Sequence, residues 1–121
     1  MDEPLNLLLP VPTGQDGTQG TALERFETII ARPECRVERI VSHGHVTPDG
    51  QWYDQVGDEW VVVVEGAAEL QFADSAQTVK LGRGDCLLIA AHRKHRVIWT
   101  TDEQPTVWLA IHFSAESTGN E

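Results

Sequence analysis

The sequence predicts an all-β fold, a barrel or sandwich of short antiparallel strands. Three observations predict it. Short runs rich in β-branched, aromatic and aliphatic residues recur between residues 36 and 113. Turn-forming clusters separate them at regular spacing, among them Gly82-Arg83-Gly84-Asp85 and Thr101-Asp102-Glu103-Gln104-Pro105. A chain of 121 residues is also long enough for one hydrophobic core and too short for two.

In chain order, residues 1–20 hold Pro10, Pro12, Gly14, Gly17 and Gly20 among polar residues and predict an irregular arm. Leu5–Leu9 within it is apolar and able to pack on the body or on a partner subunit. Thr21 and Glu24 fit a capping box, and Leu23, Phe26, Ile29 and Ile30 follow at helical spacing. These predict one short helix over 22–31, stopped by Pro33. A single domain over 21–113 follows. Strands are expected at Arg36–Ser42, Trp60–Val64, Ala68–Phe72, Thr78–Leu81, Cys86–Ala90, His95–Trp99 and Val107–Phe113. Residues 114–121 are a polar tail expected to fray.

Several strands are apolar on both faces, notably Val61–Val64 and Val107–Phe113. One face should fill the core and the other should meet another sheet or subunit. Trp60 and Trp108 left exposed on a monomer would be a liability, so a homodimer is expected.

The formal net charge is −10, which argues against a nucleic-acid partner. The one dense basic run, His92-Arg93-Lys94-His95-Arg96, reads as a solvated turn. The acidic start gives no sign of a signal peptide, and Leu5–Leu9 is too short to span a bilayer, so no membrane partner is expected. Two cysteines, Cys35 and Cys86, make no disulfide framework, and Cys86 reads as a core residue. A cytoplasmic location is the expectation.

Chemistry concentrates between Ser42 and His95. His43, His45, Glu59 and His95 offer three imidazoles and a carboxylate, a plausible shell for one divalent metal. On an extended strand His43 and His45 share one face. Over 94–101, parity puts His95, Val97 and Trp99 on one side and Lys94 and Arg96 on the other. His112 shares a face with Ala110 and Trp108, and either a pocket or a surface position suits it. Asp54 and Glu65 are candidate acids, although residues so placed are more often solvated turn residues.

These residues resemble the cupins, the family of small double-stranded β-barrels. The family's second motif runs Gly, five residues, Pro, one residue, Gly, two residues, His; Gly84, Ala90, His92 and His95 stand at those spacings. The first motif ends in Glu, six residues, Gly, matched by Glu59 and Gly66. Its His-x-His should lie three or four residues before the Glu, yet thirteen residues separate His45 from Glu59. At the usual spacing stand Tyr53 and Gln55, within Trp52-Tyr53-Asp54-Gln55. That segment is similar to one in a branch of small single-domain bacterial cupins to which no particular activity attaches.

The resemblance covers about residues 36–113 and implies a cupin-type double-stranded β-helix, or jelly roll. It also implies a divalent transition metal (iron, manganese, nickel, copper or zinc) and a small-molecule ligand in the barrel. Two arrangements of the site follow. In one, His43 and His45 are ligands with Glu59 and His95, and residues 46–58 are an insertion carrying an ordered flap. In the other, Tyr53 and Gln55 replace the two early histidines. Trp99 and Tyr53 would shape the pocket. Oxygenase or isomerase chemistry is one expectation; a non-catalytic sensor or carrier, or a metal-free interaction module, is the other.

Overall fold

The computed structural model describes residues 3–8, 18–20 and 24–115. Nine strands make it up: β1 Thr18–Gly20, β2 Glu24–Ala31, β3 Cys35–Ser42, β4 Glu59–Glu65, β5 Ala67–Phe72, β6 Thr78–Gly82, β7 Cys86–Ile89, β8 His95–Thr100 and β9 Thr106–Phe113. They form a six-stranded sheet in the order β1-β2-β3-β9-β4-β7 and a three-stranded sheet in the order β6-β5-β8. Among the described residues every named pair is antiparallel.

The two sheets face each other across one core. Val61, Val63, Ile89, Trp108 and Ala110 come from the large sheet; Ala68, Leu70, Phe72, Leu81 and Val97 come from the small one. In β4 the period-two pattern puts Glu59, Val61 and Val63 inside and Trp60 and Val62 outside. The run of valines therefore serves both faces, as a strand covered on each side should.

The expected helix over 22–31 is a correction. Residues 24–31 are strand β2, paired along its length with β3. Thr28, Ile29 and Ile30 are β-branched and favour a pleated surface. A register irregularity between Thr28 and Ile30 shifts the facing, so apolar residues recur at a spacing that mimics a helix. Glu24 opens the strand opposite Ser42 instead of closing a capping box; Thr21, its expected partner, lies outside the described residues. The arm is also more regular than expected, since Thr18–Gly20 pairs with β2. Residues 9–17, with Pro10, Pro12, Gly14 and Gly17, and the tail from residue 116, lie outside the described residues.

Further along, Arg39, on the outer face of β3, is fully buried. It donates to the Glu27 carboxylate and to the carbonyls of Asn6 and Leu7, both at 3.2 Å. This ties residues 3–8 to the sheet. Cys86, expected in the core, is exposed: it pairs with Val62 on the outer face. Trp108 is buried and its indole N–H donates to Ser42 Oγ at 3.2 Å. Trp60 is half-buried on the outer face beside Leu88 and Ile111. No helix among the described residues is long and apolar enough to cross a membrane.

Candidate functional site

The open end of the barrel holds a cavity of about 240 Å³. That is room for about eight waters at roughly 30 Å³ each. Its apolar wall comes from Phe26, Ile40, Leu70, Val97 and Trp108; its polar wall comes from Glu24, Glu38, Tyr53, Gln55, Glu59, His95 and His112. Three carboxylates against one guanidinium, that of Arg36, leave the cavity wall acidic on balance.

Glu59 begins β4 and is 6% exposed; His95 begins β8 and is equally buried. His95 Nδ1 lies 3.0 Å from the carbonyl of Arg93. A carbonyl only accepts, so Nδ1 carries a proton and Nε2 is the ring nitrogen left to face the cavity. Nε2 faces Glu59 Oε1 at 3.8 Å, and Oε1 is buried without a hydrogen-bond partner among the described residues. The imidazole stacks on Tyr53 (ring centroids 5.5 Å apart, 29° between planes) and meets Phe72 at a 45° tilt. Burial pushes the Glu59 carboxyl above its ordinary range. The His112 and His95 charges and a hydrogen bond from Gln55 oppose the rise, and the Glu38 charge adds to it.

On the other oxygen of the same carboxylate sits His112. Its Nε2 lies 3.9 Å from Glu59 Oε2 and 3.0 Å from Glu38 Oε1, and its Nδ1 lies 3.1 Å from Gln55 Oε1. Register explains the meeting. Glu38 pairs with Ala110 and Glu59 pairs with His112, so residues 38, 59, 110 and 112 face inward together. Glu24 forms a second station. Its Oε1 is 3.0 Å from His45 Nε2, and burial, helped by the Glu38 charge, pushes its carboxyl up to about 7. Burial lowers the His45 imidazole. Burial first, and the Glu24 charge second, push the Tyr53 phenol up to about 12, so Tyr53 keeps its proton and acts as a donor.

Of the residues singled out from sequence, Glu59, His95, His112, Tyr53 and Gln55 line the cavity, while His43 and His45 do not. The physical reason is local. Strand β3 ends at Ser42, and Gly44 turns the chain with φ 63°, so the alternation that would align His43 with His45 is absent there. His43 is exposed, and His45 is held by Glu24. From His45 the connection runs beside β8. Thr100 Oγ1 donates to the His45 carbonyl, the Thr47 amide to Val97, the Tyr53 amide to His95 and the His92 amide to Gln55. The fold thus brings Tyr53 and Gln55 to Glu59 and His95.

Trp99 is a correction: it is 46% exposed on the far face. A bulge opposite Glu69 and Leu70 adds one residue to β8, so parity flips and Thr100 turns inward in place of Trp99. Asp54 is outside the cavity and pairs with His92 Nδ1 at 2.9 Å. His92, where the family motif carries glycine, has φ 60°, the left-handed conformation that glycine adopts without strain. Glu65 pairs with Arg83 at 3.3 Å. Glu38 and Glu24 escaped the sequence reading. Glu38 lies in an expected strand whose facing the sequence left open, and Glu24 read as part of a capping box.

Among the described residues no three His, Cys, Asp or Glu side chains converge as a preformed metal shell. His95 and His112 address different oxygens of Glu59, which stands between them. A cation does fit the pair His95 Nε2 and Glu59 Oε1. An imidazole nitrogen and a carboxylate oxygen are both electron-pair donors, and these two residues would hold a divalent ion if one binds.

Two facing antiparallel sheets with an acid–histidine cavity between them make this chain a small β-barrel. The cupin domain family matches residues 40–112, and the chain belongs to it. A structure from Ralstonia eutropha, provisionally assigned as a mannose-6-phosphate isomerase, is 38% identical with a TM-score of 0.82, covering 94% of this chain and 100% of that one. A cupin superfamily protein from Desulfitobacterium hafniense is 18% identical with a TM-score of 0.67, over 93% and 92% of the two chains. Hydroxypropylphosphonic acid epoxidase from S. wedmorenis is 14% identical with a TM-score of 0.68, over 88% of this chain and 59% of that one. The last two show the fold alone. No curated protein matches.

Proposed function

We propose that this cupin binds a divalent metal through His95 and Glu59 and uses it, with neighbouring acid–base groups, to act on a small polar molecule in the cavity. One observation carries the proposal: Glu59 Oε1 is buried, has no hydrogen-bond partner among the described residues and faces His95 Nε2 at 3.8 Å. A buried carboxylate oxygen facing an imidazole nitrogen is costly unless a proton or a metal cation lies between them, and metal content tells the two apart. Imidazole and carboxylate are donors suited to iron, manganese, nickel, copper or zinc.

A bound divalent ion supplies Lewis acidity, which polarises a carbonyl or acidifies a hydroxyl of the ligand. The chain's own residues do the rest. Glu38, 3.0 Å from His112 Nε2, shares a proton with that imidazole and can take one from, or return one to, a ligand carbon or oxygen. Tyr53 donates a hydrogen bond to ligand oxygen. Phe26, Ile40 and Trp108 keep water from the apolar side. The similar Ralstonia eutropha protein carries a provisional isomerase assignment. A proton-sharing pair beside a Lewis acid suits isomerisation, in which a carbon-bound proton is removed and returned at the neighbouring carbon.

The test is metal content per chain by elemental analysis, on untagged protein purified without chelators from metal-replete growth. Bound metal is expected in the wild type and in His43→Ala. It should be lost in His95→Ala and Glu59→Gln. Metal-free wild type, or retention in His95→Ala, refutes the proposal and favours the carrier reading, in which the cavity binds a ligand without turnover.

A further inference from the structure

A second chamber, of about 500 Å³, opens beside the cavity at the turn between β2 and β3 and the end of β9. Arg36, Gln55 and His112 line both chambers and form their common wall. The charge changes sign across that wall. The inner cavity carries Glu24, Glu38 and Glu59. The outer chamber carries Arg32 and Arg36 against Asp58, whose Oδ1 already accepts the Ala91 amide at 2.9 Å.

The other paired arginines are committed elsewhere: Arg39 to Glu27, Arg83 to Glu65, Arg93 to Asp74 and Arg96 to Asp49. Arg32 instead donates to the carbonyl of its neighbour Ala31. Arg36 reaches only as far as 4.0 Å from Glu38. In a chain of net charge −10, carboxylates are plentiful, yet among the described residues these two guanidiniums have no carboxylate oxygen closer than 4.0 Å. A guanidinium fork matches the oxygens of carboxylate or phosphate.

We propose that the outer chamber is an oxyanion subsite: Arg32 and Arg36 hold the carboxylate or phosphate end of a ligand whose uncharged body passes Gln55 and His112 into the inner cavity. The subsite stands on the outer chamber alone; only the placement of the ligand body rests on the function proposed above. Two-ended recognition would explain why an acidic cavity has a basic mouth. The anionic end is kept out of the space holding the three carboxylates, and the reactive end is directed toward Glu59.

Inorganic phosphate and, separately, acetate are titrated into the full chain at constant ionic strength, following backbone amides and arginine Nε–H groups by NMR. The expected result is saturable shifts centred on Arg32, Arg36 and the Gln55 and His112 side chains for at least one anion. Arg32→Gln and Arg36→Gln should each weaken binding at least fivefold, with Arg36→Lys intermediate. Both arginines are exposed, and the backbone spectra report whether each variant is folded. Absence of saturable shifts at the two arginines with both anions overturns the proposal. So do unchanged affinity in the double variant and shifts centred on Arg93–Arg96. Glu59→Gln separates the two readings, because it should lose metal while keeping the oxyanion response.

Discussion

Replacing Glu24 with glutamine should make the protein more stable in alkaline solution and leave it little changed in acid. Glu24 is 7% exposed and its carboxyl is raised from 4.5 to about 7, by burial first and by Glu38 second. A carboxyl whose folded pKa is raised binds its proton more tightly folded than unfolded. Its contribution is fully present below about 4.5 and is lost as pH rises through about 7. At 1.36 kcal/mol per pH unit the loss is roughly 3 kcal/mol. The cavity mouth admits water, which screens the charge and lowers the figure to about 1–3 kcal/mol. Glutamine cannot ionise, and its amide N–H still donates to His45 Nε2. Urea unfolding of wild type and Glu24→Gln from pH 4 to pH 9 measures the difference directly. It should grow across the window from 4.5 to about 7 and level off above it. A flat difference, or a variant less stable at pH 9, would refute the reasoning about Glu24.

Gly66→Ala should cost about 3 kcal/mol in urea unfolding, because φ is +93° and an added Cβ would meet Thr106 Oγ1 at 2.5 Å and its Cα at 2.7 Å. His92→Gly should change stability by less than about 1 kcal/mol, since the loss of the Asp54 pair is offset by relief of the left-handed backbone. His92→Val at the same position should cost more, and a comparison of the two melting temperatures checks this. Gln55→Leu should lower metal retention and shift the His112 imidazole NMR signals, because it removes an anchor of Glu59 and His112 together. For the outer face, where Leu88 is 56% exposed beside Trp60, we propose pairing with a second copy. Leu88→Glu should then shift the sedimentation coefficient from dimer to monomer, and a monomeric wild type would refute the pairing.

The strands after Pro33 were legible because their β-branched runs and turn clusters are strong local signals. The strand at residues 24–31 was not, because Phe26, Ile29 and Ile30 fall at helical spacing only through the irregularity in β2. Glu59 and His95 could be found by motif spacing, and His95 also by parity. Parity then failed four residues later at Trp99, since a bulge leaves no mark on the apolar pattern. Glu38 and Glu24 could not be found by pattern at all. Their facing depends on which strand lies beside β3 and in what register, and that is fixed by pairing across long stretches of chain. His45 was conspicuous by its chemistry, yet its position was decided by where β3 stops.

The connection that carries Tyr53 and Gln55 is fastened to the backbone edge of β8 and contributes nothing to the central apolar cluster. Folding and recognition therefore draw on different stretches of the chain. Substitutions in β4, β5 or β9 are answerable to the packing of the barrel. Changes between residues 46 and 55 are constrained mainly by the edge they must follow, as loops on a rigid scaffold generally are. One wall of the cavity can be rewritten, in lineage or in the laboratory, while the barrel that presents Glu59 and His95 stays as it is.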